Sequence, residues 1–316
     1  IQCMSQKLYE EEYGNIMIFL CHLSKDEFII QTVLDNAKEI FSDKLPFDFG
    51  EHKSIQMSFD EYLKTDFIPE KDTEKRQEEI LEIRDIQERN NKKQREIDII
   101  EGDRQEIYSL DNAFKTIEVM GQILKNYPGT IKRSVKNNLL ETTYNLGMRT
   151  LSYTSDILYG GMERIFAGIR KKLQPNPSQI DIDKMKTISR QISNSMDNLF
   201  SLLAYAMIRN LASSVANKAL MPVISQSKLN DLIGYDLVKA SIQLNEFGII
   251  SVDLVLNKYD NYRSQNNVFS AKLLRLFVLD HYYVYGSKDF KNRQKVWERM
   301  AFGKKEKVLT LQGNIN

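Results

Sequence analysis

At 316 residues, with 42% apolar and 28% charged side chains, the chain can bury a sizeable core and lies on the ordered side of the disorder boundary. Its 14 glycines and 6 prolines are too few to punctuate an all-β protein, so an all-α fold is expected, an irregular helical bundle or a solenoid of helical hairpins. Forty-four basic against 43 acidic residues leave a net charge of +1, which excludes a global field drawing the chain to nucleic acid or an anionic membrane.

Cys3 and Cys21 cannot form a disulfide framework and share no ligand-like spacing with His22, His52 or His281, so a reducing cytoplasm and no metal site are expected. The longest apolar runs, such as LFSLLAYAMI at 199–208, fall short of the roughly 20 residues of a membrane span, and no leader pattern opens the chain. No membrane partner is expected. The sequence begins at Ile1 and reads as a piece of a longer protein.

Ser24 and Glu27 have capping-box spacing, and Phe28, Ile29, Val33, Leu34, Ala37, Ile40 and Phe41 follow at helical intervals. Ser58 and Glu61 repeat the spacing, so residues 1–68 read as a small helical unit. Residues 69–108 are dense in mixed charge, and QERNNKKQRE at 87–96 holds no apolar residue, which excludes a packed element there. That stretch reads as a solvated linker with frayed helices or as an exposed partner-binding arm.

Residues 109–316 read as a helical hairpin array. Ala113, Phe114, Ile117, Met120, Gly121 and Leu124 share one helical face, and Val135, Leu139, Thr143 and Leu146 share another. Between them Tyr127, Pro128 and Gly129 predict a tight turn, with Pro128 presetting the first central position and Gly129 supplying the positive φ of the second. Gly121 is small enough to admit a facing helix closely. The pattern breaks at YGG (159–161) and QPNPS (174–178), then Ile182 to Leu203 recur at helical spacing, with a further break at MPV (221–223). SAKLLRLFVLDHYYVY at 270–285 predicts a buried terminal helix, and KDFKNRQKVWERM an amphipathic one anchored by Trp297.

No phosphate-binding loop, dinucleotide fingerprint or HExxH pair is present, so nucleotide hydrolysis by this chain is not expected. Arg275 and His281 fit the loose R-x(4-6)-H spacing of HEPN-type ribonucleases, where such a pair stabilises phosphate charge and moves a proton. Six residues of helix turn the two side chains about 120° apart. The bland alternative is a surface arginine and a packed histidine. Cys21 beside His22 reads as a core cysteine rather than a nucleophile and base.

The hairpin NAFKTIEVMGQILKNYPGTIKRSVKNNLLETTYNLGMRTL (112–151) resembles a segment of bacterial STAND NTPases, the NACHT-like signalling ATPases of anti-phage defence. The residues carrying the resemblance are Ala113 to Thr116, then Gly121 to Leu124, then Asn126 to Gly129, and Tyr144, Leu146, Gly147 and Arg149 to Leu151. IMIFLCHLSKDEFIIQTVLDNAKEIF and NNVFSAKLLRLFVLDHYYVY are similar to flanking regions of that family.

The resemblance implies a non-catalytic helical module that senses a phage protein and self-associates, with ATP and Mg belonging to an ATPase part absent from this chain. Tyr282, Tyr283 and Trp297, expected on exposed faces of the final helices, are the implied ligand or subunit contacts. Arg149 is the implied pairing residue, toward another subunit or an acidic neighbour. A HEPN-like ribonuclease and a purely structural scaffold are the alternatives.

Overall fold

A computed structural model describes residues 2–5, 7, 8, 10–24, 27–50, 101–126, 131–172, 179–286, 290–300 and 302. Among these the chain is all-α, with no strand. No single described helix is long and apolar enough to cross a membrane. The expected helix after Ser58, the charged stretch up to residue 100, the Tyr127–Gly129 turn and QPNPS lie outside the described residues.

The described residues divide into two compact units, one of those up to residue 50 with 101–242 and one of those from 243 onward. In the first, α1 (Gln2–Ser5), α2 (Glu11–Ser24) and α3 (Glu27–Glu39) join α4 (Glu101–Asn126), α5 (Arg133–Lys172), α6 (Gln179–Val215), α7 (Met221–Ser225) and α8 (Ile233–Ser241). α2 and α3 thus share this unit with the long helices that follow. α2 and α3 pack on α4, and α3 also packs on α5, because Ile29, Ile30, Val33, Leu34 and Ala37 form one apolar face with no other core to enter. The expected face errs at Phe28, which is 58% exposed, while Ile30 takes the buried place.

α4, α5 and α6 pack mutually. The face of Ala113, Ile117, Met120 and Leu124 is fully buried, as are Leu139, Thr143 and Leu146 across from it. The close approach predicted for Gly121 is to α6: a Cβ there would stand 2.7 Å from Ser214 Cβ and meet the Ser214 carbonyl oxygen. Gly147 on α5 seats Leu211 of α6, its virtual Cβ 2.7 Å from Leu211 Cδ1. One glycine on each hairpin arm thus admits α6.

α5 runs unbroken for 40 residues through Gly160 and Gly161, which correct the expected break. A helical glycine loses side-chain packing and backbone entropy but keeps its hydrogen bonds, so it weakens a helix without ending it. The segment after α3 inserts Phe49 into the core beside half-buried Phe47, their rings 5.0 Å apart, with Phe47 also 5.4 Å from Phe200 of α6.

In the second unit, α9 (Val252–Ser264), α10 (Val268–Tyr285) and α11 (Phe290–Arg299) follow a π turn at Ile242–Glu246. α10 buries residues over about two thirds of its circumference, from Phe269 to Tyr282, and leaves Lys272, Leu276, Leu279 and Tyr283 along its less buried side, which fits its near-continuous apolar sequence. It is not the terminal helix, since α11 follows and packs on α9 through buried Val296 and Met300. Arg299 grips both carboxylate oxygens of Asp260, and Lys295 reaches Asp253 at 2.7 Å.

Gly121→Ala should lower unfolding stability by about 1–3 kcal/mol, the usual cost of overpacking against backbone. Gly161→Ala, whose Cβ would meet nothing within 4 Å, should raise it by about 0.5–1 kcal/mol. Urea midpoints of the two variants measure both signs.

Candidate functional site

In the first unit an open polar groove of about 390 Å³ lies between the end of α3 and α5. Lys38, Lys44, Asn138, Glu141, Asn145 and Arg149 line it. Its charges are already balanced from outside the lining: Asp35 pairs with Lys38 at 3.2 Å, Asp156 with Lys44 at 3.0 Å and Lys228 with Glu141 at 2.7 Å.

Arg149 projects from α5 onto the last turn of α3. Its guanidinium donates to the carbonyl oxygens of Ala37 at 2.6 Å and Lys38 at 2.7 Å. These carbonyls have no intrahelical donor, and they form the negative end of the helix dipole, so a cation there both satisfies hydrogen bonds and compensates charge. Burial lowers the Arg149 pKa, while nearby Glu39 opposes that shift. Within the chain Arg149 thus meets a helix end rather than an acidic side chain, and Glu39 contributes through its field.

The second unit holds the remaining sequence candidates. Tyr282 and Trp297 do not stand exposed as expected. They are 5% and 8% exposed and pack edge to face at 5.0 Å, with Phe302 4.8 Å from the indole and the Arg293 guanidinium over it at 5.1 Å. The physical reason is that Trp297 shares the buried side of α11 with Val296, and Tyr282 offers it a ring. Tyr283, one residue on and about 100° round the helix, is 37% exposed and is the member of the trio that reaches the surface.

Arg275 is buried with its guanidinium 5.0 Å from the Phe302 ring. His281 is 3% exposed, and its Nδ1 lies 2.7 Å from the Leu244 carbonyl oxygen, to which the protonated nitrogen donates. The two side chains face different partners, as the 120° offset predicts. Burial pushes the His281 pKa down; the Leu244 bond and the Asp280 charge push the other way. Cys21 is buried and its thiol is pushed up to about 11, which makes it a packed apolar group.

Sequence reading missed the network that holds the π turn. Asn245 donates from its amide nitrogen to the Phe277 carbonyl and to Asp280, both at 3.0 Å, and Tyr285 donates to the Asn245 carbonyl at 2.8 Å. Gly248, at φ 65°, lies against the Tyr285 ring, where a Cβ would come within 2.8 Å. The NEFG stretch signalled a helix end, but nothing in it signalled that Asn245 would be buried.

Arg149→Ala should cost about 1.5–3 kcal/mol, the range for hydrogen bonds to a charged group, and Arg149→Lys should restore only part, since an ammonium cannot fork across two carbonyls. Chemical denaturation measures both. His281 binds protons more weakly in the folded state than in the unfolded state, so its contribution is complete above the unfolded pKa near 6.5 and is lost as pH falls toward the folded value. His281→Asn should flatten the stability profile below about pH 6.5 relative to the parent chain.

Set against known proteins, the chain matches no protein-family model, no curated protein and no solved structure.

Proposed function

We propose that this chain is a non-catalytic helical module of a STAND-type defence ATPase, which binds a phage protein and couples that binding to self-association. The observation that carries the reading is the use made of the hairpin residues on which the resemblance rests. Gly121 and Gly147 admit α6, and Arg149 ties α5 to the end of α3. A shared pattern spent on packing suits a scaffold that positions surfaces better than one that reacts.

The mechanism is differential binding. A phage protein that prefers one arrangement of the parent protein shifts its equilibrium by the difference in its affinities for the two states. Tyr283 is the contact residue retained from the sequence, since an exposed aromatic on a rigid helix loses little entropy on binding. The nucleotide chemistry would lie in the ATPase part outside this sequence.

Native mass spectrometry of the purified chain, mixed in turn with individually expressed phage proteins, tests the reading. A complex of fixed stoichiometry with one of them, weakened about tenfold by Tyr283→Ala, is the expected result. A chain that binds none of them overturns it.

A further inference from the structure

α5 is enclosed for most of its middle length, and what it leaves open is one narrow polar strip. Between Leu139 and Leu151 the residues that reach solvent are Glu141, Asn145 and Arg149, and Asn138 and Ser152 extend the strip at either end. Its carboxyl-terminal half already holds main chain. Ser152 donates to the Leu45 carbonyl at 2.8 Å, Arg149 donates to the carbonyls of Ala37 and Lys38, and the Met148 carbonyl accepts from the Phe47 N–H at 3.1 Å. Its amino-terminal half is the floor of the open groove. There Asn145 is half-buried, and its side-chain amide makes no hydrogen bond among the described residues. Asn138 accepts from Thr142 at 3.4 Å, and its amide nitrogen has no acceptor among those residues.

The chemistry of the groove selects among occupants. A phosphate would have to displace existing partners, because Lys38 and Lys44 pair with Asp35 and Asp156, and Arg149 is committed to the end of α3. A metal ion would find one carboxylate, Glu141, already paired with Lys228. Among the described residues no aromatic ring lines the groove for a base to stack on. Nor does a large apolar side chain line it for an amphipathic helix to bury. What remains are neutral amides, each able to donate and accept, and these complement the N–H and C=O of a polypeptide main chain. The spacing agrees. Asn138 and Asn145 lie seven residues, about 10 Å, apart on one face, and a polyproline II segment presents the same side every third residue, about 9 Å on. Such a segment has no internal hydrogen bonds, so its main-chain groups are available.

We infer that the groove on α5 from Asn138 to Arg149 binds an extended segment of a partner protein by its main chain, with Asn145 as the central contact and Asn138 as the second. The strip would then treat an incoming segment as it already treats the chain's own residues 45–47. This site goes beyond the proposed function, whose contact residue Tyr283 lies in the second unit. Because the contacts are to main chain, the site tolerates varied side chains, but it requires free N–H groups on the segment.

Selection from a random library of linear peptides on the full chain, followed by fluorescence anisotropy of the synthesised binders, tests it. Binding is expected to weaken at least about tenfold on Asn145→Ala and by less on Asn138→Ala. It should be lost when the peptide amides are N-methylated one by one across the segment at the positions that face the groove, which removes main-chain donors and leaves the side chains in place. Circular dichroism melting checks that both variants fold, and alanine in place of asparagine on a helix favours the helix. A library that yields no binder overturns the inference. Binding indifferent to Asn145→Ala overturns the surface, and binding indifferent to N-methylation at every position overturns the main-chain mode. Binding that follows only the peptide's negative charge and vanishes in about 1 M salt overturns it in favour of an anion site. Phage-protein binding is judged by its own assay and stands or falls apart from these outcomes.

Discussion

The contact on which the first unit depends is the close passage of α6 over two glycines. Two long helices joined as a hairpin can bury only the strip between them, and a third must settle onto both to complete a core. Gly121 and Gly147 remove side chains at the points of approach, one on each arm, so that Ser214 and Leu211 come against them. The distance between helix axes is set by what stands at the contact. The burial of Ile117, Met120, Leu139, Leu146, Phe200 and Ile208 around those points follows from it. Lys125 adds a bond to the Ser213 carbonyl near the same crossing, and Asn217 reaches the Lys125 carbonyl at 3.3 Å.

Much of this architecture was legible in the sequence, and for identifiable reasons. Periodicity gave the faces of α3, α4 and α5 because a helix with one buried side repeats its apolar residues every three or four positions. It failed at Phe28, which lies on the outer side of α3 while Ile29 and Ile30 of the same turn are buried, and at Gly160 and Gly161, where local propensity argued for a break that a helix of 40 residues absorbs. Gly121 was rightly read as a point of close approach, but a linear pattern cannot say which helix comes near.

The candidate site residues were less legible because their roles depend on partners distant in sequence. Arg149 finds the carbonyls of Ala37 and Lys38, more than a hundred residues earlier. Tyr282 and Trp297 are buried by each other, a pairing that neither helix shows alone. Aromatic residues on an amphipathic helix signal burial and recognition equally well, and only the position of the next helix decides between them. His281 illustrates the same limit, since its partner is a backbone carbonyl that has no signature in the side-chain sequence.

The length of α5 has one more consequence. Along this single helix, burial declines from Leu146 and Thr150, which are fully enclosed, to Gly160, Gly161 and Gly168, beside which a side chain would meet nothing within 4 Å. The free energy of local opening follows such contacts. Amide protons near Thr150 therefore exchange only when the whole unit opens, whereas those beyond Gly161 exchange through fraying. The helix is a graded element, clamped at one end and free to breathe at the other, so a load applied near Lys172 would bend it at the paired glycines before disturbing the core.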